Sequence, residues 1–159
     1  EAIKIVRGEF ARSVTMLLTS DEEIGSNSSR SLIELEASRC RTVLVLEPSL
    51  PGGALKTARK GVGRFTIKAI GKAAHAGIDP LKGINAIEEI ARQIIVLQGM
   101  TDVTRGTTVT VGVIQGGTRS NVVPAEAALE VDVRVTSVDE AERTASAIKA
   151  LTAQLPGAR

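Results

Sequence analysis

The stretch LEVDVRV, Leu129–Val135, alternates aliphatic and charged side chains without a break. Successive side chains of a strand point to opposite faces, so this period of two describes a strand with one dry and one wet side. A helix would scatter Val131 and Val133 around its circumference. A one-sided strand needs a layer to cover its dry face, and the chain after residue 60 supplies the parts. Phe65, Ile67 and Ala69 alternate with Thr66 and Lys68, and Val109, Val111 and Val113 alternate with Thr108 and Thr110. Ile84, Ile87, Ala91, Ile94 and Leu97 form a helical stripe that ends at Gly99. Val138, Ala141, Ala145, Ile148 and Leu155 form a second, stopped by Pro156-Gly157, with Ser137 and Glu140 spaced as a capping box at its start. The order is β-α-β-β-α. It predicts an α+β, ferredoxin-like sandwich with helices on one face of an antiparallel sheet and the last strand missing.

Composition narrows what such a sandwich can do. The aromatics are Phe10 and Phe65 alone, with no Trp or Tyr, so the core must be aliphatic and base-stacking platforms are excluded. Lys and Arg number 20 against 18 Asp and Glu, which gives no electrostatic reason for nucleic acid or an anionic membrane as partner. The single cysteine, Cys40, forbids an intrachain disulfide, and Val43–Val45 close behind it predict an inert core thiol. No apolar run approaches the roughly 18 residues of a membrane span, and no signal peptide is visible. The chain opens at Glu1 without Met, which leaves room for an upstream targeting segment.

The first third reads differently. Val14–Leu18 and Thr42–Leu46 are near-continuous apolar runs, predicted as buried strands, and Ser28–Ser38 between them reads as a helix with Ser31 and Glu34 as its capping box. Together they predict a βαβ fragment of an α/β domain. Segment 48–63 is rich in Pro, Gly and cations and reads as a linker or a crossing. The expected division is 1–58 and 59–159.

Several residues carry candidate chemistry. Glu22 and Glu23 follow one apolar run and Glu47 ends the next, at the carboxyl ends where open α/β sheets bind ligands. Converging carboxylates repel, and a divalent metal would offset that charge while a neighbouring carboxylate acts as base. Equally, Glu22 and Glu23 would favour the N-terminus of the following helix through its dipole. His75, the sole histidine, lies among small residues just past a strand, either as a surface residue or as a group open to a ligand. GGTRSNVVPAE joins two strands through Gly116, Gly117 and Asn121, as a turn would. Arg134 lies on the polar face of its strand, as a solvated charge or as a planar fork for a carboxylate.

TSDEEIGS, then EP, then KGVGRFTIKAIGKAAHAGIDPLKGINAI, then GGTRSNVVPAEAALEVDVRV occur in one order over Val14 to Leu155. In that order they resemble the zinc metallopeptidase family of glutamate carboxypeptidases, aminoacylases, acetylornithine deacetylases and succinyl-diaminopimelate desuccinylases, the folate-cleaving glutamate carboxypeptidases above all. The resemblance implies that 1–58 is a fragment of the catalytic domain and 59–159 the lid and dimerisation domain. Glu22 matches the general base, Glu23 a ligand of one zinc ion of a pair, and Glu47 a ligand of the other or an equivalent position. His75 matches a lid histidine that stabilises the oxyanion, usually across a homodimer. Asn121 and Arg134 match groups that hold the substrate's carboxylate, with Lys56 a weaker match of the same kind.

The family's upstream His-x-Asp, bridging Asp and late His have no counterpart here. The expectation is therefore a central segment of a dizinc carboxypeptidase or amidohydrolase. That enzyme would cleave an amide beside a C-terminal amino acid such as glutamate, and the chain alone would be inactive. The alternative is a non-catalytic dimerisation or small-molecule-binding ferredoxin-like module.

Overall fold

The computed structural model describes residues 13–159, in two compact units that divide between Ala54 and Leu55. The second unit contains the sandwich. Strands β1 (Gly61–Ile70), β3 (Thr108–Gly116) and β5 (Glu126–Val135) form an antiparallel sheet in the order β1-β5-β3, and a short pair, β2 (Ala74–His75) with β4 (Val122–Val123), stands beside it. Helix α2 (Ala86–Gln98) crosses from β1 to β3, and α3 (Val138–Lys149) follows β5. The ferredoxin-like fold read from the order after residue 60 holds. Beyond β1, Arg159 exchanges both backbone hydrogen bonds with Ile70 (2.7 and 2.9 Å) on the edge β5 does not use.

The alternation in β5 holds at every position. Ala127, Leu129, Val131, Val133 and Val135 are buried, while Glu130 and Arg134 are exposed. Ile90, Leu97, Val109 and Ile148 close over them as an all-aliphatic core. Each fully buried Leu, Ile or Val contributes about 1.5–3 kcal/mol relative to leaving it in water.

Helix α2 buries a different stripe from the expected one: Ala86, Glu89, Ile90, Gln93 and Leu97, with Ile87 and Ala91 facing out. Its start is set by Asn85, whose Oδ1 accepts from the amides of Ile87 (3.0 Å) and Glu88 (3.1 Å). The buried Glu89 accepts from Gln93 Nε2 (2.6 Å) and from the amides of Gln154 (3.0 Å) and Leu155 (2.7 Å). Burial raises its pKa, but those bonds and the Arg92 charge outweigh burial and hold it below its ordinary value. The segment after α3 is thereby tied to α2.

Strand β3 also departs from strict alternation. A bulge between Val111 and Val113 shifts the register, and Val113 and Ile114 are left exposed at the outer strand of the sheet.

At α3, Ser137 Oγ accepts from the Glu140 amide (3.2 Å), one half of the expected box. The other half is absent because the Glu140 carboxylate is engaged elsewhere. It accepts from Arg143 Nη2 (2.6 Å), Thr107 Oγ1 (2.7 Å) and Arg105 Nη1 (3.1 Å). Arg143 first, then Thr107 and Arg105, lower its pKa from 4.5 to about 2. A group more acidic when folded stabilises the fold above its unfolded value, and that contribution disappears as pH falls through the folded one. Acid unfolding of the wild type should therefore steepen between pH 4.5 and about 2, and Glu140→Gln should flatten that limb. Equilibrium denaturation across the window reads it directly.

The first unit corrects the expectations for residues 14–54. Among the described residues, Val14–Leu18 and Thr42–Leu46 form no strand, and Leu18, Val43, Leu44, Val45 and Leu46 are exposed. A strand exists only with a ladder partner, and neither run has one here. Cys40 is likewise exposed, because the run behind it builds no core. The expected helix does form, as α1 (Arg30–Ser38). Ser31 does not cap it. The N-cap is Ser29, with no side-chain cap bond, and Glu34 pairs with Arg30 at 2.8 Å.

Candidate functional site

Of the three consecutive acids, the fold uses the one not singled out. Asp21 Oδ2 accepts from Ser28 Oγ (2.7 Å) and the amides of Ser28 (2.9 Å) and Ser29 (3.1 Å), and Oδ1 accepts from Ser29 Oγ (2.6 Å). The Ser29 and Ser28 hydroxyls hold its pKa well below the usual carboxylate range. Asp21 is buried and closes the loop ahead of α1. An Asp followed by a Ser pair directly before a helix is the signal that would have found it.

Glu22 and Glu23 stand exposed on a 3-10 turn, Glu22–Ile24, closed by Gly25 at φ 95°. Glu47 is exposed in an irregular segment, its amide bonded to the Val45 carbonyl (2.9 Å). Among the described residues, no three of His, Cys, Asp and Glu are grouped so as to hold a metal ion. The donors among the described residues do not by themselves fit a zinc centre, since catalytic zinc takes about three protein ligands. Lys56 lies exposed in the irregular segment before β1.

The second unit does bring two of the expected residues together. After β1 the chain must pass against the Ile84 carbonyl: a Cβ on Gly71 would lie 2.1 Å from that oxygen, so only glycine passes. Lys72 and Ile84 then exchange backbone bonds, each 2.9 Å. This delivers β2 to β4, where His75 registers with Val122. The next amide, Ala76, donates to the Asn121 carbonyl (2.9 Å), so His75 and Asn121 flank one corner. On the other strand, Gly117 turns the chain at φ 75° into the loop that carries Arg119 and Asn121.

The imidazole is held by its own loop. His75 Nδ1 accepts from the amides of Gly77 (3.1 Å) and Ile78 (3.2 Å). Beside the corner runs an open groove of about 500 Å³ lined by Ala76, Asn85, Ile87, Arg119, Val122 and Pro124, among others; His75 and Asn121 are not among its lining residues. Its lining contains one cation, Arg119, and no carboxylate, which suits an anionic ligand. Nothing in the turn-like sequence GGTRSNVVPAE distinguishes Arg119 from a solvated loop cation.

Arg134 is not part of this corner. Its strand neighbours are Val62 and Thr108, at the far end of the sheet from Ile70, Gly116 and Glu126. At roughly 3.3 Å per residue that is about 25 Å. Its fork is already occupied: Nε and Nη2 donate to Asp132 Oδ1 (2.7 Å) and Oδ2 (3.1 Å). An external carboxylate would have to displace Asp132.

Among known families, residues 57–158 match the one described as Peptidase dimerisation domain. Carboxypeptidase G2 of Pseudomonas sp. (strain RS-16) is 34% identical over 123 residues, 77% of this chain and 30% of that protein. Acetylornithine deacetylase of Myxococcus xanthus is 30% identical over 153 residues, 88% of this chain and 39% of that protein. Among solved structures, an aminobenzoyl-glutamate utilization protein from Klebsiella pneumoniae is 32% identical with a TM-score of 0.54, covering 57% of this chain and 23% of that one. The chain spans only a minor part of either curated relative.

Proposed function

Because the chain belongs to the peptidase dimerisation domain family, we propose that residues 59–159 are the lid and dimerisation domain of a carboxypeptidase or amidohydrolase. Residues 1–58 are, on this reading, a fragment of its catalytic domain. The parent enzyme cleaves an amide beside a C-terminal amino acid such as glutamate. The observation that carries the reading is the His75–Asn121 corner beside a carboxylate-free groove. An exposed histidine on a short strand pair, with the Asn121 backbone alongside and a groove lined by Arg119 next to it, can bind an oxygen-rich anionic group.

In the parent, His75 donates to the carbonyl oxygen as it gains charge. Asn121 is the proposed holder of the substrate carboxylate at this corner, with Lys56 secondary; Arg134, at the opposite end of the sheet, would hold a carboxylate only at a separate site and only by releasing Asp132. Glu22 is the proposed base, and Glu23 and Glu47 are proposed ligands of a pair of zinc ions, which when bound would supply the activated water. The donors in this segment do not complete such a centre, so the remainder of the parent must supply the other ligands.

The test uses two polypeptides: the 159-residue chain and a full-length parent containing it. With excess zinc and a panel of N-acyl amino acids and folate-like amides, the parent should turn over substrate and the chain should not. Zinc-dependent turnover by the chain, lost on Glu22→Gln, would show that it builds a site its described residues do not group. Inactivity of the parent on the whole panel would favour the alternative of a non-catalytic binding module.

The partner of the lid, on this reading, is a second copy. β3 is an outer strand of the sheet, and Val113 and Ile114 stand exposed on it. Unpaired edge groups with apolar side chains pair readily with another edge. Ile114→Glu should therefore lower self-association by about tenfold or more, roughly the worth of one buried apolar side chain. Sedimentation of wild type and variant reads this, and a wild type that stays monomeric at high micromolar concentration refutes it.

A further inference from the structure

We infer that the Gly77 and Ile78 amides lock His75 as the Nε2–H tautomer, which makes it a hydrogen-bond donor to oxygen and not a metal ligand. Both amides aim at Nδ1, at 3.1 and 3.2 Å. A ring nitrogen that faces two N–H groups presents its lone pair, because a proton there would meet both donors. The neutral ring has one proton, so it is placed on Nε2. The residue is exposed, and Nε2 has no hydrogen-bond partner among the described residues.

The consequence is a restriction on the ligand. Nε2–H donates to a carbonyl oxygen, an oxyanion or a carboxylate. A metal ion needs a lone pair at Nε2, and freeing one would move the proton to Nδ1 and break both amide bonds. Gly77 and Ile78 are thus positioning residues, acting through the ring. The use of that donor in the parent's reaction rests on the proposed function, whereas the tautomer rests on the loop alone.

The chain has one histidine, so its ring signals need no assignment. A long-range ¹H–¹⁵N correlation spectrum of the chain at about pH 8, where a typical imidazole is neutral, reads the tautomer. The expected result is Nδ1 at the shift of an unprotonated nitrogen and Nε2 at that of a protonated one, both unchanged by excess Zn²⁺. Averaged shifts, a proton on Nδ1, or a zinc-induced change at Nε2 would overturn the inference. As a second measurement, His75→Asn keeps an acceptor at the Nδ1 position and should leave Gly77 amide exchange near wild type, whereas His75→Ala should speed it about fivefold to tenfold, the worth of one hydrogen bond. Equal exchange in all three would refute the two-amide clamp. If the tautomer holds but His75→Asn leaves the parent's kcat intact, the proposed role of His75 fails and the inference stands.

Discussion

In a full-length parent enzyme, His75→Asn should lower kcat by about 10²–10³-fold with little change in KM or melting temperature. The asparagine Oδ1 takes the place of Nδ1 and keeps the bonds from Gly77 and Ile78, now 3.1 and 3.2 Å. The loop and its backbone bond from Ala76 to Asn121 are then preserved. What disappears is the outward N–H. A donor that strengthens only as charge develops on the substrate oxygen contributes to kcat and not to ground-state binding. Steady-state kinetics alongside thermal denaturation separates the outcomes. A variant with wild-type kcat would remove His75 from the chemistry. A variant that unfolds would show the ring to be a packing element, contrary to its exposure.

Glu89→Ala should destabilise the second unit by about 2–5 kcal/mol. The carboxylate is buried and serves the Gln154 and Leu155 amides together with Gln93. Its removal leaves two backbone donors unpaired, at about 1–3 kcal/mol each. The effect should appear as a lower urea midpoint with an unchanged slope, since the surface exposed on unfolding is the same. Because the folded pKa is depressed, wild type should lose this contribution as pH falls below the ordinary carboxylate value, and Glu89→Ala should be less sensitive to acid there. A midpoint within a few tenths of a kcal/mol of wild type would mean that the segment after α3 is held by something other than Glu89.

The pair of variants also separates two kinds of residue. Glu89 looks like a solvated helix charge in sequence, three residues into a helix rich in acids, yet it is buried 2% exposed. Its backbone partners lie 65 and 66 residues away, beyond the reach of any local window. His75 looks like an ordinary surface histidine, and its ring geometry comes from neighbours two and three residues on. Local sequence could have suggested that turn, but only the β2–β4 pairing places it beside Asn121.

What the amino-acid sequence determined by itself was whatever depends on a repeat along the chain. The alternation of β5, the existence of α1, α2 and α3, the order β-α-β-β-α and the Ser137 cap follow from side-chain period and local hydrogen bonding, and all are present. Tertiary structure decided what depends on a distant partner. It turned the buried stripe of α2 from Ile87 and Ala91 to Glu89, Ile90 and Gln93, and it bulged β3 so that Val113 and Ile114 face out. It left Val14–Leu18 and Thr42–Leu46 without a ladder, although their composition is that of strands. It brought His75 to Asn121 and set Arg134 at the opposite end of the sheet. The physical reason is that periodicity is a property of each segment alone, whereas register, pairing and burial are free energies shared between segments far apart in the chain.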